Sequence, residues 1–161
     1  MAPILGRTFA TPPLAAISTW ADVALRYLLD TNVLSEPMRL IPDPEVMNHI
    51  TAAGDAVATA SPVWHELEFG HLRLPAGKRR RAIAAIIHAM STTLVILPYD
   101  TNAAAWHARE RARLTRLGKP PSFVDGQIAA ITAVNDLVLV TRNVRDFSGF
   151  TGLTIESWFS A

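Results

Sequence analysis

The chain has no cysteine, which excludes a disulfide framework and any thiolate metal site and suits a reducing compartment. It also lacks a long hydrophobic run: no apolar stretch reaches the ~20 residues that a membrane helix needs. A secretory leader is not expected either. Arg7 is the one basic residue before Arg26, and Pro12 and Pro13 break the mildly apolar stretch that would form a leader's core. A cytoplasmic protein is the expectation. Charge of one sign is missing too: 15 Lys and Arg against 14 Asp and Glu leave a formal charge of +1. Bulk charge gives no sign of a nucleic-acid binder, so any such case has to rest on local clusters.

What is present is apolar. Half of the 161 residues are hydrophobic and 18% are charged, the balance of a globular chain of single-domain length. Folding at that size buries roughly 70% of the unfolded surface, enough for one core. No internal repeat or low-complexity tract interrupts it. Residues 1–25, rich in Ala, Thr and Pro, read as a loose N-terminal extension, and residues 26–161 as one domain.

From Arg26 onward the pattern alternates strand and helix. Arg26-Tyr27-Leu28-Leu29 is β-prone and stops at Asp30. A helix is predicted from Pro44 to Ala53, closed by Gly54, and a short strand from Ala56 to Thr59. Ser61 then stands as the N-cap, with Pro62 at the first helical position, of a helix running to about Leu72. After Gly77, residues Ile83, Ile86, Ile87 and Met90 form one apolar stripe at helical spacing. Leu94 to Leu97 is a buried-strand run ended by Pro98, and Thr101 to Leu117 a long helix ended by Gly118. Ser122 opens another helix through Asn135; Leu137 to Val140 is a further buried strand, and Leu153 to Ile155 a last short one. Strands apolar throughout and separated by helices predict a mainly parallel sheet covered on both faces, an α/β fold in three layers.

In such a sheet ligands bind beyond the carboxyl ends of the strands. Four chain-distant segments deliver oxygen-bearing side chains there. Asp30 ends the first strand, Glu66 lies about a turn and a half into the helix after the second, and Asp125 sits in the first turn of the helix opened by Ser122. Thr141, Asn143 and Asp146 follow the strand Leu137 to Val140. Each has an ordinary reading when taken alone. An aspartate after a strand often caps the next helix, a helix-surface glutamate is usually just solvated, and Asp125 after Ser122 resembles a capping box. Asn143 and Asp146 are common turn residues. The chain also duplicates its own signal: Asp100-Thr101-Asn102 repeats Asp30-Thr31-Asn32 after another apolar strand. Pro98 ends that strand ahead of Asp100, which makes Asp100 the readier plain cap.

Together the segments resemble PIN domains of the VapC toxin family. Tyr27-Leu28-Leu29-Asp30-Thr31-Asn32-Val33-Leu34-Ser35-Glu36-Pro37 looks like the opening of that family. His65-Glu66-Leu67-Glu68-Phe69-Gly70 is similar to its second motif, and Asp125-Gly126-Gln127-Ile128-Ala129-Ala130 to its third. Val140-Thr141-Arg142-Asn143-Val144-Arg145-Asp146-Phe147 resembles the fourth, and the whole resemblance runs from residue 26 to about 158. It implies a Rossmann-like sheet, a Mg²⁺ or Mn²⁺ site, endoribonuclease activity and a cognate small antitoxin protein. By position it makes Asp30, Glu66 and Asp125 the metal-holding carboxylates, with a fourth member in the last motif. Where the family often has aspartate this chain has Asn143, and Asp146 lies three residues later. Ligation through the Asn143 carbonyl, substitution by Asp146 and contact through water are the alternatives; the family pattern favours Asn143. A homodimer, with no membrane partner, is the expected assembly.

The chemistry is coherent on its own terms. Crowded carboxylates repel, and a hard cation or protonation relieves that. Oxygen ligands without cysteine favour Mg²⁺ or Mn²⁺ over Zn²⁺. One ion, or two at ~3.5–4 Å, would lower the pKa of a bound water and neutralise charge on a scissile phosphate. Thr31, Asn32 and Thr141 are candidate donors that orient the carboxylates. A polyanionic substrate calls for cations: Arg109, Arg113 and Arg116 share one arc of an ideal helix, Lys78-Arg79-Arg80-Arg81 open another, and Arg142 and Arg145 flank the fourth motif. The arginines of the first arc and of the fourth motif are the candidate RNA contacts. The five histidines show no metal-ligand spacing, and Trp64 and Trp106 read as core. Two other functions compete. One is a non-catalytic PIN-like module that binds RNA or protein, favoured by Asn143. The other is a phosphatase with Asp30 as nucleophile, which usually wants a second aspartate where Asn32 stands.

Overall fold

A computed structural model describes residues 24–160. The extension expected over residues 1–25 lies, except for its last two residues, outside that part. Five strands form one sheet in the order β3-β2-β1-β4-β5: β1 Tyr27–Leu29, β2 Val57–Ala60, β3 Val95–Leu97, β4 Val138–Val140 and β5 Thr154–Glu156. All four pairings are parallel. The helices are α1 Thr31–Leu34, α2 Pro44–Ala53, α3 Ser61–Leu72, α4 Lys78–Thr93, α5 Thr101–Arg116, α6 Phe123–Val134 and α7 Val144–Phe147. A 3₁₀ turn, Glu36–Met38, lies between α1 and α2. This is the three-layer α/β architecture that the apolar strands imply.

The order of the strands decides where a site can form. The chain winds outward from β1 through β2 to β3, then returns to pair β4 with the other edge of β1 and adds β5 outside it. Successive connections therefore leave β1 in opposite directions, and a crevice opens between the chain segments that follow β1 and β4. Ligand sites of open α/β sheets form at such a switch point. The core beneath it is dry: Leu28, Ala58, Ala60 and Leu139 are fully buried, and Ile128, Ala129, Ala130 and Ile131 of α6 cover the sheet. The one polar side chain inside strand β2, Thr59, satisfies itself by donating to the Leu29 carbonyl at 2.9 Å.

Two local expectations need correcting, and two short helices are added. Ser61 does not cap α3: Ala60 occupies that position, and the Ser61 hydroxyl accepts the Tyr99 backbone N–H at 3.3 Å instead. β3 is half-buried rather than buried, because it forms an edge of the sheet and has β2 as its one neighbour. The segments after β1 and β4, α1 and α7, are helices of four residues, too short to show a period in the sequence. By contrast α2 spans Pro44–Ala53, with Asp43 capping its start and Gly54 at φ 53° closing it. Among the described residues no helix is long and apolar enough to cross a membrane.

Candidate active site

Asp30 follows β1 directly and is 6% exposed. Its Oδ1 accepts the Thr31 backbone N–H at 2.8 Å. Its Oδ2 accepts the Thr141 hydroxyl at 2.7 Å and the Asn32 amide at 3.0 Å. Thr141 follows β4, so the bond from Thr141 to Asp30 closes the switch point across two adjacent strands. Asn32 adds a second stitch, accepting the Arg142 backbone N–H on its Oδ1 at 2.9 Å. The Thr141 hydroxyl in turn accepts from the Asn32 amide at 3.3 Å and from the Asn143 backbone N–H at 3.0 Å. Thr31 turns its hydroxyl the other way and donates to Glu66 Oε2. Thr31, Asn32 and Thr141, picked from the sequence as orienting donors, thus each touch a carboxylate.

Asp125 enters from α6, whose N-cap Ser122 accepts the Asp125 backbone N–H at 3.4 Å. Glycine at the next position matters here. A Cβ on Gly126 would stand 2.0 Å from Nε2 of His107, so only glycine lets α6 lie this close to α5. His107 is 2% exposed, with Tyr99 Oη at 2.9 Å from its Nδ1 and the Phe123 ring centred 5.0 Å away. Burial, and secondarily the Arg111 charge, hold its pKa below the usual histidine value. This packing places Asp125 in the cleft, and nothing in the sequence around His107 announces it.

The electrostatics show which acids meet. Burial pushes the Asp30 carboxyl above its ordinary pKa; the Glu66 charge adds to the rise, and the hydrogen bonds from Thr141, Thr31 and Asn32 oppose it. Asp125 is raised as well, first by burial and then by the negative charges of Asp146, Asp30 and Glu66. Four carboxylates from four segments therefore share one electrostatic neighbourhood. Asn143 shares it through its backbone: its N–H donates to Thr141, and its side chain makes no cap on α7. Of the two fourth-motif candidates, Asp146 is the one that carries a charge, and that charge helps to raise Asp125.

This all-oxygen set suits a hard cation. Among the described residues no three acidic or histidine side chains converge tightly enough to enclose a metal by themselves.

The cations divide into two groups. Arg145 lines, with Asp125, Asp146 and Lys119, a cavity of about 480 Å³ beside the acids. Arg142 stacks over the Phe159 ring, 3.8 Å from its centroid. None of the α5 arginines lines that cavity. Arg113 is committed to Glu110 at 2.9 and 2.7 Å and to the Gly149 carbonyl at 2.7 Å, with the Thr151 N–H on the same glutamate. Arg116 lines a separate groove with Tyr99, Arg111 and Phe123, and Arg109 is exposed on α5. Their shared arc comes from helical periodicity and carries a structural clamp at Arg113.

The PIN domain family model matches residues 27–151. The chain belongs to the PIN-domain family. Within it, the chain is 33% identical over 137 residues to "VapC ribonuclease Y4jK" of Sinorhizobium fredii, covering 81% of this chain and 96% of that protein. It is 30% identical over 134 residues to the "tRNA(fMet)-specific endonuclease VapC" of Salmonella typhimurium, covering 83% and 98%. Its fold is similar to that of DNA-bound VapBC from Salmonella typhimurium, at TM-score 0.74 and 28% identity, covering 83% and 98%. The PIN match starts at Tyr27 and takes in Asp30, Glu66, Asp125 and Asp146.

One buried acid of this PIN domain was invisible as a site residue in the sequence. Glu36, quoted above only as part of the opening motif, is 1% exposed and binds both Arg39 and the Asp43 backbone. A glutamate between Ser35 and Pro37 gives no local signal of burial.

Proposed function

We propose that this PIN domain is a metal-dependent endoribonuclease, the toxin of a toxin–antitoxin pair, with Asp30, Glu66, Asp125 and Asp146 as its acid cluster. The observation that carries the reading is the gathering of those four carboxylates at the switch point, where burial and mutual repulsion raise Asp30 and Asp125. A bound Mg²⁺ or Mn²⁺ would supply water activation and charge neutralisation on the scissile phosphate. The chain's own residues do the rest. Asp30, fixed by Thr31, Asn32 and Thr141, and Asp125, fixed at the start of α6, are the two carboxylates best placed to hold an ion. Glu66, tied to Thr31, and Asp146 on α7 border it and complete the negative cleft. Arg142 and Arg145 receive RNA phosphates at its rim.

Relatives named as VapC ribonucleases support an RNA substrate, and a relative solved as VapBC supports a small protein partner. A nuclease free in a cell has to be restrained. An antitoxin segment laid in the cleft, with a basic side chain on the carboxylates, would block ion and RNA together. The experiment is cleavage of single-stranded RNA by the purified chain, with Mg²⁺ and with chelator. Cleavage abolished by chelator supports the reading; intact RNA in both arms refutes it.

A further inference from the structure

Glu36 has no part in the acid cluster, yet it is among the most deeply buried side chains in the protein. Its Oε1 accepts the Asp43 backbone N–H at 2.7 Å. Its Oε2 lies 3.4 Å from Nη1 of Arg39 and 4.0 Å from Nη2 of Arg142. The carboxylate is 1% exposed, whereas the two arginine side chains are 53% and 47% exposed. One buried anion thus sits beneath two half-exposed cations, leaving the trio a net positive charge that faces solvent. The Phe159 ring, its centroid 3.8 Å from the Arg142 guanidinium carbon, packs against that group from another side.

The two cations reach different parts of the cleft. Arg39 lines one groove with Thr31 and Glu66. Arg142 follows Thr141, which donates to Asp30, and its own amide is held by Asn32, which also donates to Asp30. A guanidinium held from below by a carboxylate keeps free N–H groups in the fork geometry that a phosphate accepts.

We propose that Glu36 is a positioning residue: it sets Arg39 and Arg142 as two phosphate-receiving cations, one on the Glu66 side of the cleft and one on the fourth-motif side. The assignment rests on the nuclease reading for its ligand, RNA. It adds Arg39 to the RNA-contacting surface and gives the buried glutamate a role.

The test is the salt dependence of binding to a single-stranded RNA oligonucleotide, measured in an Asp30→Asn background with Mg²⁺, beside RNA cleavage by the wild type. Arg39→Gln and Arg142→Gln should each weaken binding and lower the slope of log affinity against log salt by about 0.7, the share of one phosphate contact. Glu36→Gln can still accept the Asp43 N–H but cannot hold two guanidinium groups by charge. It should weaken binding severalfold although it removes a negative charge from an RNA-binding face. Tighter binding by a folded Glu36→Gln variant would overturn the positioning role. If that variant melts below the assay temperature, the exposed arginines carry the test, and an unchanged slope in both overturns the proposal. Should the wild type leave RNA intact while the arginine variants still lower the slope, the nuclease reading falls and the phosphate contacts stand.

Discussion

Asp-Thr-Asn occurs twice in this chain, each time after a parallel strand, and the two copies have become different things. Asp100 follows the edge strand β3, is exposed, and spends its carboxylate on the Ala103 N–H at 2.9 Å as an N-cap of α5. Thr101 and Asn102 beside it are exposed as well. Asp30 also receives a backbone N–H at the start of a helix, that of Thr31. It lies, however, at the end of the central strand β1, where β4 brings Thr141 to its second oxygen and α6 brings Asp125 near. The tripeptide supplies a cap in both places. What turns one cap into a candidate catalytic carboxylate is the strand it follows, because only a central strand at a switch point has neighbours on both sides to deliver further polar groups.

The largest expected effect breaks the comparison outright. Asp30→Asn should reduce Mg²⁺-dependent RNA cleavage by about 10²–10³-fold, several kcal/mol of lost transition-state stabilisation. Asp100→Asn, which caps equally well, should cleave at the wild-type rate. Equal activity in the two variants would dissolve the distinction.

The threonines sharpen it. Thr141→Val removes the hydroxyl that orients Asp30 and should cost about 10–100-fold in cleavage, the scale of a lost partner behind a metal ligand. Thr101→Val should leave the rate unchanged. A Thr141→Val enzyme of wild-type rate would show that Asp30 needs no hydroxyl to hold its orientation.

The reverse contrast lies in stability. Asp100→Ala loses a cap and should cost about 1 kcal/mol, seen as a lower Tm at full activity. A Tm unchanged by that substitution would mean that the cap is replaced by solvent.

The smallest effect is electrostatic. The Asp125 carboxyl is raised above its ordinary pKa, so the folded state holds its proton to higher pH than the unfolded state does. Stability from this group is therefore lost as pH rises from the unfolded carboxylate range through the raised folded value. Asp125→Asn removes that loss, and in chelator its Tm should exceed the wild type's by a margin that widens over the same rise in pH. A margin flat with pH would show that neither burial nor the neighbouring acids raise Asp125 in the free protein.

How much of this was legible depended on length and on neighbours. The helix Pro44–Ala53 is bounded in the sequence by an aspartate cap, a proline at its first position and a glycine after its end, and the structure keeps those bounds. Asp30, Glu66, Asp125 and Asp146 could be named because each lies in a segment that follows a strand or in the early turns of a helix. Their meeting could not be derived from any one segment, since the Thr141–Asp30 bond joins residues 111 apart. Asn143 and Asp146 could not be ranked, because one stands at the N-cap position of a helix of four residues and the other lies within it, and that helix is too short to show a period. Helical spacing likewise gave Arg113 its place on the α5 arc and said nothing of the Gly149 carbonyl it binds. Ser61 failed alike, as a capping residue drawn away by the Tyr99 N–H. The fit of His107 against Gly126 and the burial of Glu36 left no trace in the sequence, being set wholly by what packs over them.

The central claim is that the acids gathered at the switch point, and not the repeated tripeptide, make the cation site. Calorimetric titration of Mn²⁺ into the wild type, Asp30→Asn and Asp100→Asn, without RNA, tests it most directly. The account predicts the same binding heat for the wild type and Asp100→Asn and its loss in Asp30→Asn. Undiminished binding by a folded Asp30→Asn protein would contradict it.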